Sequence, residues 1–229
     1  DRDVTGIQTC ALPIYGGNIH TYHRMIHHMD EGIGWLVKAL ADTQQLDNTL
    51  IVFTSDNGGE RFSDNWPLVG GKMDLTEGGI RVPWIAHWPA VIPAGSVSTQ
   101  HCMTMDWSAT MLELGDAQAD AHYPLDGVSL SGVLKNPAHC FERPLHWRMN
   151  HRQQRALRVG PWKYLRVDDH DYLFNIDNDA RERANLGNRQ PQLLEIMRSQ
   201  YEQWEASMPP IPDDASVNLG YGIKDMPQR

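Results

Sequence analysis

The segment Leu50-Ile51-Val52-Phe53-Thr54 limits the possible folds more than any other stretch of the chain. It is a continuous apolar run, rich in β-branched residues and without polar alternation. Such a run suits a central strand covered on both faces, as parallel strands are in α/β proteins. It stops at Ser55-Asp56-Asn57-Gly58-Gly59, a cluster that cannot continue a strand. Upstream, Met25, Ile26, Met29, Ile33, Leu36, Val37 and Leu40 recur at steps of three and four. That spacing predicts an amphipathic helix over about residues 22–40. Its other face carries His23, His27, Asp30 and Lys38, and Asp47-Asn48 marks the turn that follows. Helix, buried strand and glycine-rich loop together make an α/β unit.

Residues 61–77 show little periodicity, with Gly70 and Gly71 inside them and Gly78 and Gly79 just beyond, which reads as a functional loop. A second strand is predicted over Val82–Trp88, followed by turn residues Pro89, Pro93 and Gly95. A short helix over Met105–Leu114 ends at Gly115. The spacing then changes. Leu145–Met149, Arg155–Val159, Trp162–Val167 and Tyr172–Ile176 read as short strands joined by tight turns at Gly160-Pro161 and Asp168–Asp171. These predict an antiparallel sheet in a subdomain of its own. Pro191 to Ser207 reads as a closing helix, with Leu193, Leu194, Met197, Tyr201 and Trp204 on its apolar face. The tail 213–229 reads as irregular.

Composition narrows the function classes. The chain is 41% hydrophobic and 21% charged, which is globular and not disordered composition. A net charge of −9 argues against a nucleic-acid partner, which would favour a basic surplus. No apolar run approaches the roughly 18 residues that span a bilayer. The cysteines, Cys10, Cys102 and Cys140, share no metal-ligand spacing and read as free thiols, with a Cys102–Cys140 bridge left open.

In parallel α/β sheets, ligands gather beyond the carboxyl ends of the strands, where Asp56 and Asn57 stand. A carboxylate beside an amide oxygen suits a hard cation, although Asp-Asn-Gly by itself is also an ordinary turn. The surroundings decide between them. Gly70-Gly71-Lys72 follows, then Glu77-Gly78-Gly79-Ile80-Arg81-Val82-Pro83. The whole string, LIVFTSDNG…GGKMDLTEGGIRVPWIAHWP, resembles the second half of the sulfatase catalytic domain. Further stretches extend the likeness from about Gly16 to Pro212. They include Tyr22–Gly34, Leu125-Asp126-Gly127, Arg143-Pro144, Ala156–Tyr164, Tyr172–Asn175 and Arg183–Leu186.

The resemblance implies a partial alkaline-phosphatase-like mixed sheet with flanking helices over residues 15–142. A small C-terminal antiparallel sheet with a helix would follow over 143–212. It implies a sulfuric ester hydrolase acting on a sulfated small molecule or sulfated carbohydrate. Asp56 and Asn57 would be two ligands of a divalent cation, usually Ca²⁺, with Mg²⁺ as the alternative. Lys72 would bind a sulfate oxygen and offset charge on the bridging oxygen as the leaving group departs. Glu77, Gly78, Gly79 and Arg81 would support the turn that aims Lys72.

The family's nucleophile is a formylglycine made from cysteine in a C-x-P-x-R motif. Cys10-Ala-Leu-Pro13-Ile14 does not match it: the proline is one place late and the arginine is absent. Residues 4–14, VTGIQTCALPI, resemble an in-frame sequencing-adaptor translation, so 1–14 is set apart from fold reasoning. The chain is therefore expected to be a C-terminal portion, inactive alone, with the nucleophile in an N-terminal part. The compartment stays open, and a periplasmic or secreted parent fits the resemblance. The rival readings are a phosphomonoester or phosphonate hydrolase of the same superfamily and a non-catalytic binding protein derived from the fold.

Other histidines are expected to be structural. His23 and His27 stand at i, i+4 but lack a third ligand at a recognised spacing. His87 is expected to pack in its strand. For His146, Trp147, Arg148 and His151, strand packing is favoured over contact with a sulfated sugar.

Overall fold

A computed structural model describes residues 18–212 and Ala215, so Cys10, the adaptor-like segment and most of the tail lie outside the described residues. Helix α1 spans Ile19–Asp42, with Asn18 as N-cap accepting the Thr21 N–H at 3.0 Å. This side-chain bond satisfies one of the donors a helix start leaves open. The apolar stripe that predicted α1 is exposed: none of the helix's residues is buried, and Leu36 is 56% accessible.

Strand β1 is Ile51–Thr54 and β2 is Trp84–His87. They pair antiparallel, Ile51 opposite His87 and Thr54 opposite Trp84. The partner that the described residues supply is thus antiparallel, whereas the continuous apolar run suggests a strand of parallel type. A continuous apolar run encodes burial and does not encode strand direction. Among the described residues this sheet has two strands, and β1 itself is half-buried. Along β2, burial alternates, so Ile85 and His87 face solvent while Trp84 and Ala86 face inward. His87 is thus exposed, contrary to the packing expected of it. Trp84 stacks on Trp107, with ring centroids 5.2 Å apart, and ties β2 to the helix Asp106–Leu114.

Between the two strands lies the four-residue helix α2, Glu77–Ile80. Helix α3 is Asp106–Leu114, capped by Gly115, and α4 is Ser131–Lys135. The buried Asp106 carboxylate organises this region. It accepts the Met103 N–H at 2.7 Å and the Val128 N–H at 3.0 Å, and it pairs with Arg143.

The C-terminal sheet is an antiparallel meander of β3 (Leu145–Arg148), β4 (Arg155–Val159), β5 (Trp162–Val167) and β6 (His170–Asn175). Its strands alternate side chains between two buried faces. Ala156, Leu165 and Phe174 share one face with Ile176 and with Leu75, which arrives from the glycine-bounded loop. Leu157, Tyr164 and Leu173 form the other, packed against Met197 and Tyr201 of helix α5 (Pro191–Ala206). His146 stacks on Trp204 of α5 at 4.6 Å, the packing role expected of it. Cys102 and Cys140 are free thiols.

Candidate active site

At the carboxyl end of β1 the Ser55 hydroxyl donates to the Asn57 carbonyl at 2.8 Å and closes the turn. Asp56 is exposed and Asn57 half-buried. Neither side chain has a hydrogen-bond or ion-pair partner among the described residues, so their oxygens stay open to solvent.

Three loops interlace just beyond this turn. The Lys72 N–H donates to the Gly59 carbonyl at 3.1 Å, and the Gly58 N–H donates to the Gly79 carbonyl at 2.8 Å. The Gly78 N–H reaches the Val69 carbonyl at 2.8 Å. Asn65 clamps the crossing: its Oδ1 accepts the Gly59 N–H at 3.0 Å, and its Nδ2 donates to Gly59 and Gly70 carbonyls at 2.9 and 3.1 Å. The acid–amide loop, the lysine loop and the glycine turn are therefore one hydrogen-bonded unit. Lys72 is half-buried, with Nζ 3.3 Å from Glu60 Oε2.

Close packing explains the glycines. A Cβ on Gly78 would collide with the Val69 and Gly70 carbonyls, and one on Gly79 with those of Asp74 and Gly71. Neither sits at positive φ, so it is the close backbone approach that excludes a side chain.

The C-terminal sheet holds this unit from beneath. The Gln154 side chain accepts the Leu75 N–H at 2.8 Å and donates to the Met73 carbonyl at 2.8 Å. The Glu77 N–H donates to Glu182 Oε2 at 2.6 Å. The Glu77 carboxylate, itself buried, takes Lys163 Nζ at 2.9 Å and Arg158 Nη1 at 3.4 Å. Lys163 is fully buried and also pairs with Glu182 at 2.8 Å. Burial pushes the Glu182 carboxyl up from its ordinary value, although the Lys163 ammonium and the Glu77 N–H oppose it. Glu77 thus reaches the Lys72 loop by anchoring its far end to β4 and β5. Arg81 is exposed, and only its backbone N–H joins the turn, donating to the Glu77 carbonyl at 2.8 Å.

Asn65, Gln154, Lys163 and Glu182 were not singled out in the sequence. Lys163 sits in an ordinary strand pattern, and its partner Glu77 is 86 residues away. The acidic residue at 182 carries no local signal at all.

The open Asp56 and Asn57 oxygens fit a hard divalent cation, which takes about six to eight oxygen ligands. They would form part of such a set: no group of three or more His, Cys, Asp or Glu stands together as a cation site among the described residues. His23 and His27 lie on the exposed α1, where His27 approaches Glu31 at 3.5 Å. The cleft lined by Leu50, Val52, Trp88, Met111, Leu114 and Gly115, of about 420 Å³, includes none of the site residues.

Comparison with known proteins reads on this same unit. The Sulfatase family model matches residues 4–117, which include β1, the lysine loop and the glycine turn. N-acetylgalactosamine-6-sulfatase of Sus scrofa is 35% identical over 132 residues, 55% of this chain and 25% of that protein. The chain belongs to the sulfatase family. Arylsulfatase J of Mus musculus extends the sulfatase match to 85% of this chain and 41% of its own length, at 26% identity. The solved structure of Ps i-CgsB in complex with k-i-k-neocarrahexaose superimposes with a TM-score of 0.73 at 33% identity. It covers 87% of this chain and 46% of that one, so the likeness includes the C-terminal meander. This sulfatase chain spans less than half the length of each of these relatives. No helix among the described residues is long and apolar enough to cross a membrane.

Proposed function

We propose that this chain supplies the cation-and-ammonium side of a sulfatase active site, for hydrolysis of R–O–SO₃⁻ to an alcohol and inorganic sulfate. The observation that carries the reading is the Lys72–Gly59 backbone bond, which ties the ammonium's loop to the one presenting Asp56 and Asn57.

Asp56 and Asn57 would hold a divalent cation, Ca²⁺ by the family's habit and Mg²⁺ as the smaller alternative. Bound there, the ion supplies positive charge to the sulfate oxygens. Lys72 places a compact, full positive charge where negative charge grows on the bridging oxygen. Its contact with Glu60 keeps the ammonium within reach of the loop, and substrate oxygens would compete for it. Glu77, Gly78 and Gly79 set the loop's path, and the sheet beneath them keeps that path fixed. Preorganised charge of this kind costs no reorganisation during the reaction.

Sulfated carbohydrate is the substrate class best supported by the relatives. One is named for N-acetylgalactosamine 6-sulfate chemistry, and another was solved with neocarrahexaose. The test is sulfate release from 4-nitrophenyl sulfate by this chain joined to a segment carrying the C-x-P-x-R nucleophile. Asp56→Ala, Asn57→Ala and Lys72→Ala are each expected to lower kcat by about 10²–10³, the cost of removing one preorganised charge partner. Full activity in Lys72→Ala would end the reading.

A further inference from the structure

We propose that Trp66 and Arg181 form a saccharide subsite beside the sulfate site, which binds the ring next to the sulfated one in a sulfated oligosaccharide. The inference rests on the sulfatase reading above and extends it to the substrate's neighbouring unit.

Trp66 lies in the lysine loop, directly after the Asn65 clamp and six positions before Lys72. It is 70% accessible, so the ring is free to meet a ligand. The Trp66 backbone N–H donates to Asp64 Oδ1 at 2.9 Å, and the Arg181 guanidinium packs over the ring, 4.1 Å from its centroid. Arg181 is adjacent to Glu182, which accepts the Glu77 N–H. The platform's two halves are therefore anchored at both ends to the unit that positions Lys72. Arg181 is half-buried, and its Nε is buried without a hydrogen-bond partner among the described residues.

The chemistry matches a pyranose ring carrying an anion. One face of the indole is backed by a cation and the rest is open, so an apolar sugar face can lie on it. The guanidinium edge offers paired donors suited to a second sulfate or a carboxylate. The sulfate ester undergoing cleavage would reach Lys72 while the adjoining ring rests on Trp66. Substrate length and charge pattern would thus be read outside the reacting centre.

Calorimetric titration with neocarrahexaose, its desulfated counterpart and inorganic sulfate tests this, in the presence of Ca²⁺. Trp66→Ala is expected to weaken both saccharides about tenfold, the size of one lost aromatic contact, and to leave inorganic sulfate unchanged. Trp66→Phe should recover most of that loss. Arg181→Met is expected to weaken the sulfated saccharide and spare the desulfated one. Lys72→Ala is expected to weaken the sulfated saccharide and inorganic sulfate together. Wild-type saccharide affinity in Trp66→Ala, with sulfate binding still lost in Lys72→Ala, overturns the subsite and leaves the sulfatase reading intact. Equal sulfate affinity in wild type and Lys72→Ala overturns that reading and the subsite with it. Because Trp66 is exposed, the variant's thermal melt should match wild type, which separates lost contact from lost fold.

Discussion

Replacing Lys163 by methionine keeps the side chain's bulk and removes its charge at the centre of the sheet-to-loop connection. Wild-type Lys163 is fully buried between Glu77 at 2.9 Å and Glu182 at 2.8 Å. Its loss leaves two carboxylates in one buried space, where the remaining ion-pair partner among the described residues is Arg158 Nη1, at 3.4 Å from Glu77. Breaking a buried ion pair costs about 3–5 kcal/mol, because the remaining charge is left uncompensated. Here the cost should depend on pH. Burial already raises the Glu182 carboxyl, and Lys163 is among the groups that oppose the rise. In wild type, stability linked to Glu182 is fully present below about pH 4.3 and declines as pH rises through the folded value. In Lys163→Met the folded value climbs further, so more stability is lost at alkaline pH. Urea unfolding at pH 8 should show a loss of about 3–5 kcal/mol, and at pH 5 a smaller one. Glu182→Gln in the same variant should recover part of it. A loss under about 1 kcal/mol at pH 8, as an exposed pair would give, or an equal loss at both pH values, would refute the buried network.

Gly78→Ala should destabilise by about 1–3 kcal/mol, from the collision with the Val69 and Gly70 carbonyls, and its thermal melt gives the value. Burial holds the His146 imidazole below its ordinary value, so stability linked to it is present above about pH 6.5 and lost as pH falls through the folded value. His146→Phe should flatten that part of the pH–stability curve; an unchanged slope would contradict the burial argument. The 229-residue chain by itself should release no sulfate from 4-nitrophenyl sulfate, because none of its three cysteines stands in C-x-P-x-R. Measurable turnover under saturating Ca²⁺ would contradict this.

The parts legible in the sequence were those governed by local pattern. The apolar run ending at Thr54 gave β1 and the loop after it, and the short strands and tight turns after Leu145 gave the meander nearly residue for residue. β3 ends one residue early, at Arg148, and β6 runs His170–Asn175 instead of 172–176, because the turn before it is only Asp168-Asp169. Direction was not legible. β2 pairs antiparallel to β1, a choice made by the connection between them and invisible in either strand's composition. The glycine turn was readable as special, but its reason emerged only when the Val69 and Asp74 carbonyls were seen against Gly78 and Gly79. Least readable were contacts between distant segments. Glu77 meets Lys163, and Trp66 meets Arg181, across separations that no periodicity encodes.

Paramagnetic relaxation by Mn²⁺, an oxygen-preferring ion, reports directly on whether Asp56, Asn57 and Lys72 share one site. With ¹³C-labelled lysine, titrating Mn²⁺ should broaden the Lys72 Cε signal and leave those of Lys38 and Lys135 sharp, and Asp56→Ala should abolish the broadening. A Lys72 signal that stays sharp while Mn²⁺ binds at Asp56 would separate the cation from the ammonium and contradict the shared site.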